Sequence, residues 1–370
     1  MKDARGYWLC LSQVQGIGPG RMKRLLDEFG SARAAWSAPV GRLHHAGLPE
    51  DVIHRLLDWR RNTDPGKELE KLARSGYRFL IWDDPEYPAR LKEIDYPPAV
   101  LYVWGTLAAE DEVAVAIVGT RRASPYGREV AREIASVLAA SGVTIVSGLA
   151  RGVDGIAHRA ALDAGGRTVA VLGSGLDQVY PPEHRKMAEL IAGAGAVVSD
   201  YPIGTRPEGG NFPPRNRIIT GLSMAVVVVE AGESSGALIS ADFAAEQGRD
   251  VFAVPGRINE SRSRGTNKLI AAGAFPLLSP QDVLEALNLE MVAMQEVASR
   301  NLPADPVERA LIQALGDHPL HIDELSRVSG LPAASISASL AMLELKGRVR
   351  QVGGMHFVLV KESPSSYEVG

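Results

Sequence analysis

AVVVVEAGESSGALISADFAAEQGRDVFAVPG, residues 225–256, carries the pattern that decides the class of fold. Ala225–Val229 is small and β-branched with no polar position on either face, so a strand here has to be covered from both sides. A glycine-rich turn, Glu230-Ala231-Gly232-Glu233-Ser234-Ser235-Gly236, follows it. Then come a helix-length segment and a second apolar run, Asp250–Val254. A strand, a helix and a strand in that order imply a parallel pair with its crossover.

The same alternation extends upstream. Val113–Val118, Val143–Val146, Thr168–Leu172 and Ala196–Ser199 are short, β-rich and bounded by Gly or Pro. Ser124 followed by Pro125 reads as an N-cap and first helical position, with a helix running toward Ser141. The expectation is an α/β fold, a Rossmann-like, doubly wound and mostly parallel sheet, over residues 76–290. Residues 1–75 read as short helices broken by glycine turns, a helical SAM-like or helix-hairpin-helix domain. A linker over 291–304, containing most of NLPADP, leads to a winged-helix pattern over 305–361 and a tail over 362–370. In the winged helix the expected elements are Pro306–Leu315, Ile322–Val328, a third helix from Ala333 to Lys346, and a hairpin over Arg348–Val360. The third helix, AASISASLAMLEL, has no Lys or Arg before Lys346, which suits a structural or protein-contact role better than reading bases.

Composition sets limits. The 370 residues are 45% hydrophobic and 23% charged, ordinary for globular domains. The net charge of −4 supplies no overall attraction for polyanions, so any anion site has to come from local clustering. Cys10 is the single cysteine, so no intramolecular disulfide is possible. The N-terminus lacks the apolar core of a signal peptide, and no run reaches the ~18 apolar residues of a membrane span. The chain reads as cytoplasmic, with no membrane contact.

In a doubly wound sheet, ligands sit beyond the carboxyl ends of the strands. Four turns there are rich in small residues: Gly119-Thr120-Arg121-Arg122-Ala123-Ser124, Ser147-Gly148-Leu149-Ala150-Arg151-Gly152, Gly173-Ser174-Gly175 and Glu230–Gly236. Backbone amides and helix N-termini can hold an anion there, and Arg121 and Arg151 can add bidentate contacts to phosphate. Neither G-x-G-x-x-G with its ribose acid nor G-x-x-x-x-G-K-[ST] occurs after the first strand, which favours a nucleic-acid backbone over a nucleotide. Two further clusters fit that ligand. Asn211-Phe212-Pro213-Pro214-Arg215-Asn216-Arg217, ahead of a helix over Ile218–Leu222, offers Phe212 to stack a base and Arg215, Asn216 and Arg217 to hold phosphate. Arg257–Lys268 brings Arg257, Arg264, Asn267 and Lys268, with a helix over Asn267–Ala272. The plain alternative is that turns need small residues, that Phe212 packs inward and that the arginines pair with nearby acids.

The N-terminal stretch Val14-Gln15-Gly16-Ile17-Gly18-Pro19-Gly20 has helix-hairpin-helix spacing, with Gly16 and Gly18 in the turn and Arg21, Lys23 and Arg24 beyond it. Such a hairpin presents amides to a DNA phosphate. His45-Ala46-Gly47-Leu48-Pro49-Glu50 is a weaker second copy.

Read together, IVGTRRASPYG, IVSGLARGVDGIAH, VAVLGSGLDQVYPPEH, NFPPRNRIITGLS, the stretch from Val226 to Gly256 and SRGTNKLIAAGA resemble the DprA/Smf (DNA processing protein A) family. The resemblance implies a protein that binds single-stranded DNA, protects it, dimerises through the Rossmann-like domain and loads the RecA recombinase in natural transformation. It also implies single-stranded-DNA-binding protein as a further partner, and no cofactor, metal or catalytic turnover. The family's G-[ST]-R motif falls on Gly119-Thr120-Arg121. Its lysine-bearing loop falls on Glu208-Gly209-Gly210, where the lysine is missing and Arg206 is the nearest cation. The competing reading is a nucleotide-processing enzyme resembling the LOG phosphoribohydrolase group. The PGGxGTxxE string of that group is absent, and of the acid/base candidates Asp154, His158, Asp177 and His184, the first two sit four apart on one expected helix and should pair with each other.

Overall fold

The 225–229 run does form a strand, and it lies in the interior of a nine-stranded sheet, covered on both faces. The computed structural model describes residues 2–289, 307, 311, 314–315, 319–330, 332–345 and 349–359. It divides into two units, Met1–Leu287 and Asn288–Gly370.

The first unit opens with six helices, α1 (Lys2–Gln13), α2 (Pro19–Phe29), α3 (Ala32–Ser37), α4 (Val40–His45), α5 (Glu50–Asn62) and α6 (Pro65–Arg74). Next come β1 (Arg78–Ile81), α7 (Ala89–Lys92) and β2 (Val100–Gly105). The alternating part follows: β3 (Ala114–Val118), α8 (Pro125–Ala140), β4 (Thr144–Ser147), α9 (Val153–Asp163), β5 (Thr168–Val171), α10 (Arg185–Ala194) and β6 (Ala196–Ser199). It continues through α11 (Phe212–Gly221), β7 (Ala225–Val228), α12 (Gly236–Glu246), β8 (Asp250–Ala253), α13 (Arg264–Ala271), β9 (Phe275–Pro276) and α14 (Pro280–Ala286).

The strand order is β1-β2-β6-β5-β4-β3-β7-β8-β9, parallel from β6 to β9 and antiparallel where β2 meets β6 and β1. All six expected strands are present, with ends within a residue or so. The added pair β1–β2 closes one edge. The two strands are antiparallel and joined by a connection that holds only the short helix α7, so they carry no βαβ signature. Two helices are longer than expected: α11 starts at Phe212 and α13 at Arg264, which places Gly265 and Thr266 inside the helix.

Successive residues of the buried strands face opposite sides of the sheet. Val169, Val171 and Val198 pack with Ile218, Val226 and Val228 on one face, while Ala170, Leu172 and Val197 pack on the other with the N-terminal helices. The helical region is pinned to the sheet by Arg5, whose Nη2 donates to Phe79 O at 2.7 Å and whose Nη1 pairs with Asp84. Trp8 and Trp82 meet edge to face at 5.4 Å.

From β3 the chain moves outward through β4, β5 and β6 on one side, and through β7, β8 and β9 on the other. The winding reverses between β3 and β7, whose ends pair Val118 with Val228. The crevice beyond those carboxyl ends is where this topology places a ligand.

In the second unit, β10 (Leu320–His321), the helices Ile322–Ser329 and Ala333–Leu345, β11 (Val349–Gly353) and β12 (His356–Leu359) form a winged helix with sheet order β10-β12-β11. Leu325, Ile336, Leu340, Leu343 and Phe357 make its core. The linker 291–304, the tail 362–370, Lys346 and most of the helix expected over Pro306–Leu315 lie outside the described residues. Among the described residues no helix is long and apolar enough to cross a membrane.

Candidate nucleic-acid interface

An open cleft of about 700 Å³ lies over the carboxyl ends of β3 and β7. Gly119, Thr120, Arg121 and Arg122 form one wall, Ser235 and Gly236 at the start of α12 another. Phe212, Arg215 and Asn216 of α11 and Tyr180 of the loop after β5 complete it. The structure therefore brings the first and second sequence clusters together. It leaves Arg217 and all of Arg257–Lys268 outside the cleft lining.

Arg121 and Arg122 are exposed, and neither guanidinium forms an ion pair among the described residues. Arg121 Cζ stands 5.5 Å over the centroid of Phe212. Asn216 donates from Nδ2 to Gly236 O at 3.3 Å, tying α11 to the start of α12. Arg206 is exposed and unpaired among the described residues, and its neighbours Pro207 and Gly209 line the cleft.

Several expected phosphate ligands turn out to face inward. Arg215 is only 4% exposed; its Nη1 donates to Gly148 O at 2.7 Å and also to Val171 O. Burial pulls its pKa down to about 10, opposed by the charge of Asp154. A Cβ at Gly148 would collide with that guanidinium, so glycine there admits the arginine rather than a phosphate. The Gly148 amide donates to Asp154 Oδ2 at 3.2 Å, and the Ser147 hydroxyl, fully buried, donates to Ile117 O at 2.6 Å. Arg217 points away from the cleft, with Nη2 on Asp200 at 2.9 Å and Nε on Tyr96 O at 3.1 Å. Asn267 clamps the backbone of Gly256 with both ends of its amide, at 3.1 and 3.0 Å. Arg215 thus supplies donors to carbonyls at the ends of β4 and β5.

Asp154 and His158 do not pair either. Asp154 takes amides of the 148–150 turn, and burial raises its pKa, with Arg215 acting against the rise. His158 Nδ1 lies 2.7 Å from Thr168 Oγ1, and burial holds its pKa down at about 3.

The N-terminus of α8 is occupied by the protein itself. Glu230, 3% exposed, accepts from Ser124 N at 2.9 Å and Ser124 Oγ at 2.5 Å. The Thr120 amide goes to Glu230 O at 2.7 Å. This end of the first crossover helix thus already holds a carboxylate.

Other cations at the rim carry acids. Arg151 Nε pairs with Glu183 at 2.6 Å, and that contact lowers the Glu183 pKa. Lys268 pairs with Glu233 at 3.0 Å. Arg257 and Arg264 are exposed without an ion pair among the described residues.

At the N-terminal hairpin, Gly16 adopts φ +97° and Gly18 precedes α2 with no side chain capping the helix. Arg21 Nη1 folds back onto Gly16 O at 2.6 Å, while Lys23 stays exposed and unpaired among the described residues. Gly47, at φ +76°, repeats the turn ahead of α5.

Tyr180 is the cleft residue that the sequence reading overlooked. It is 37% exposed, and its ring centroid lies 5.7 Å from that of Phe212. A tyrosine ahead of two prolines, in the loop that follows a strand, was the available signal. Phe212, expected to be exposed, is half-buried instead.

Comparison with known proteins meets this geometry. The family described as DNA recombination-mediator protein A matches residues 78–288, and the DprA winged helix domain matches 295–355. The chain belongs to the DNA recombination-mediator protein A (DprA/Smf) family. Protein Smf of Synechocystis is 38% identical over 390 residues, spanning 95% of this chain and 98% of that one. The crystal structure of DprA from Streptococcus pneumoniae is 34% identical, with a TM-score of 0.68 over 76% of this chain and 97% of that chain. DprA from Helicobacter pylori, solved for its single-stranded DNA binding mode, is 35% identical, with a TM-score of 0.52 over 57% and 95%.

Proposed function

We propose that this chain binds single-stranded DNA in the cleft between β3 and β7 and hands it to a RecA-type recombinase during transformation or recombination, acting as a homodimer without catalytic turnover. One observation carries the reading: two unpaired arginines, Arg121 and Arg122, stand beside the ring pair Tyr180 and Phe212 over an open cleft. A single strand needs that combination, cations for its phosphates and rings for its bases. The single-stranded DNA binding mode described for the H. pylori relative supports the choice of ligand, and family membership supports the recombinase and the dimer. The bare hairpin around Gly18, with Lys23, adds a phosphate contact in this proposal. Turnover is left out because the buried acids Asp154 and Glu230 are engaged by the protein's own amides and Ser124.

The test is a titration of labelled oligo-dT and a duplex of equal length at about 0.15 M salt. The single strand should bind more tightly. Losing one phosphate-neutralising cation lowers single-strand affinity about fourfold at that salt, so Arg121→Ala should weaken binding by at least this factor. A mutant that binds as its parent does removes the proposed site.

A further inference from the structure

Phe212 is the ring that the sequence advertises, yet it is half-buried and neighbouring side chains cover part of it. Arg121 Cζ at 5.5 Å and Arg215 Cζ at 6.0 Å stand over the ring. Tyr180 leans on it at an interplanar angle of 39°, and a Cβ at Gly173 would come within 2.9 Å of Phe212 Cδ1. Tyr180 lines the same cleft and the same small recess as Phe212, but it is the more exposed ring, 37% against a half-buried Phe212. It shares the recess with Arg121 and with Arg151, the latter paired with Glu183.

We infer that Tyr180, and not Phe212, is the ring on which a base of the bound strand stacks, and that Phe212 is a positioning residue that holds Tyr180 and Arg121 in place. The inference rests on the cleft being a single-strand site. A base on Tyr180 leaves a flanking phosphate to Arg121, the exposed cation of the recess that forms no ion pair among the described residues. A base inside a duplex has both faces covered by its neighbours, so the same ring would select for unstacked strands.

Two labelled probes separate this inference from the broader reading: oligo-dT, and an abasic oligodeoxynucleotide of equal length with the same phosphates and no bases. The full chain is compared with Tyr180→Ala, Tyr180→Leu, Tyr180→Phe and Arg121→Ala. Tyr180→Leu keeps apolar bulk and guards against a collapsed loop in the alanine variant, and thermal melting checks that each variant is folded. Losing one base stack lowers affinity about tenfold. Tyr180→Ala and Tyr180→Leu should therefore weaken oligo-dT binding by about that factor and leave the abasic probe unchanged. Tyr180→Phe should match the parent, and Arg121→Ala should weaken both probes. Parental affinity of folded Tyr180→Leu for oligo-dT overturns the stacking role, as does equal weakening on both probes. A parent that binds neither probe defeats the strand-binding reading itself.

Discussion

Glu183 offers a way to make the protein bind more tightly by removing a charge. Its Oε1 holds Arg151 Nε at 2.6 Å beside the recess that Arg121 and Tyr180 also line. Both side chains are about half exposed, so the pair is worth little to folding, and Glu183→Gln should leave stability unchanged. It should, however, free a cation at the rim. Each phosphate neutralised on a single strand adds about 0.7 to the slope of log affinity against log salt. That corresponds to roughly fourfold tighter binding at 0.15 M salt and roughly eightfold at 0.05 M. Fluorescence polarisation with labelled oligo-dT over a salt series gives both affinity and slope. A variant whose slope and affinity coincide with the parent's would show that Arg151 never reaches phosphate, and would remove it from the interface.

Two further expectations concern the buried polar groups beneath the cleft. Arg215→Met removes the donor to Gly148 O and Val171 O and the cation that favours buried Asp154, and should cost about 3–5 kcal/mol, part of it recovered in the Asp154→Asn double variant; strictly additive costs in urea unfolding would contradict the coupling. His158, neutral in the folded protein down to about pH 3, takes up a proton near pH 6.5 once unfolded. The unfolded chain then binds the extra proton, so stability should fall as pH drops below about 6.5, by about 2 kcal/mol between pH 7 and pH 5. His158→Asn, which keeps a donor for Thr168, should lose that part of the pH dependence; an undiminished slope in urea midpoints would assign it elsewhere.

The alternating strands were legible because each is apolar on both faces, and burial on both faces is what the sheet gives them. Ser124 and Pro125 marked the start of α8 because capping is a local interaction. The pair β1 and β2 escaped notice because an antiparallel edge announces itself through a partner distant in sequence. The site divided along the same line. Arg121 and Phe212 were found because they sit in recognisable turns. That Arg215, Ser147 and Gly148 face inward depends on which carbonyls of β3, β4 and β5 lacked donors and where Asp154 lies, and no spacing encodes that. The pairing of Arg151 with Glu183 joins residues 32 positions apart and is likewise set only by the fold.

Glu230 reaches further than its hydrogen bonds to Ser124. In doubly wound nucleotide binders, the start of the first crossover helix is where the cofactor's phosphate docks. Here that seat is taken by a carboxylate of the same chain, fixed at the N-terminus of α8. A free nucleotide approaching in the usual pose would meet like charge where it needs a donor. If the cleft is the proposed single-strand site, free nucleotides should be poor competitors there, while a strand held at the Arg121 wall need not enter that seat.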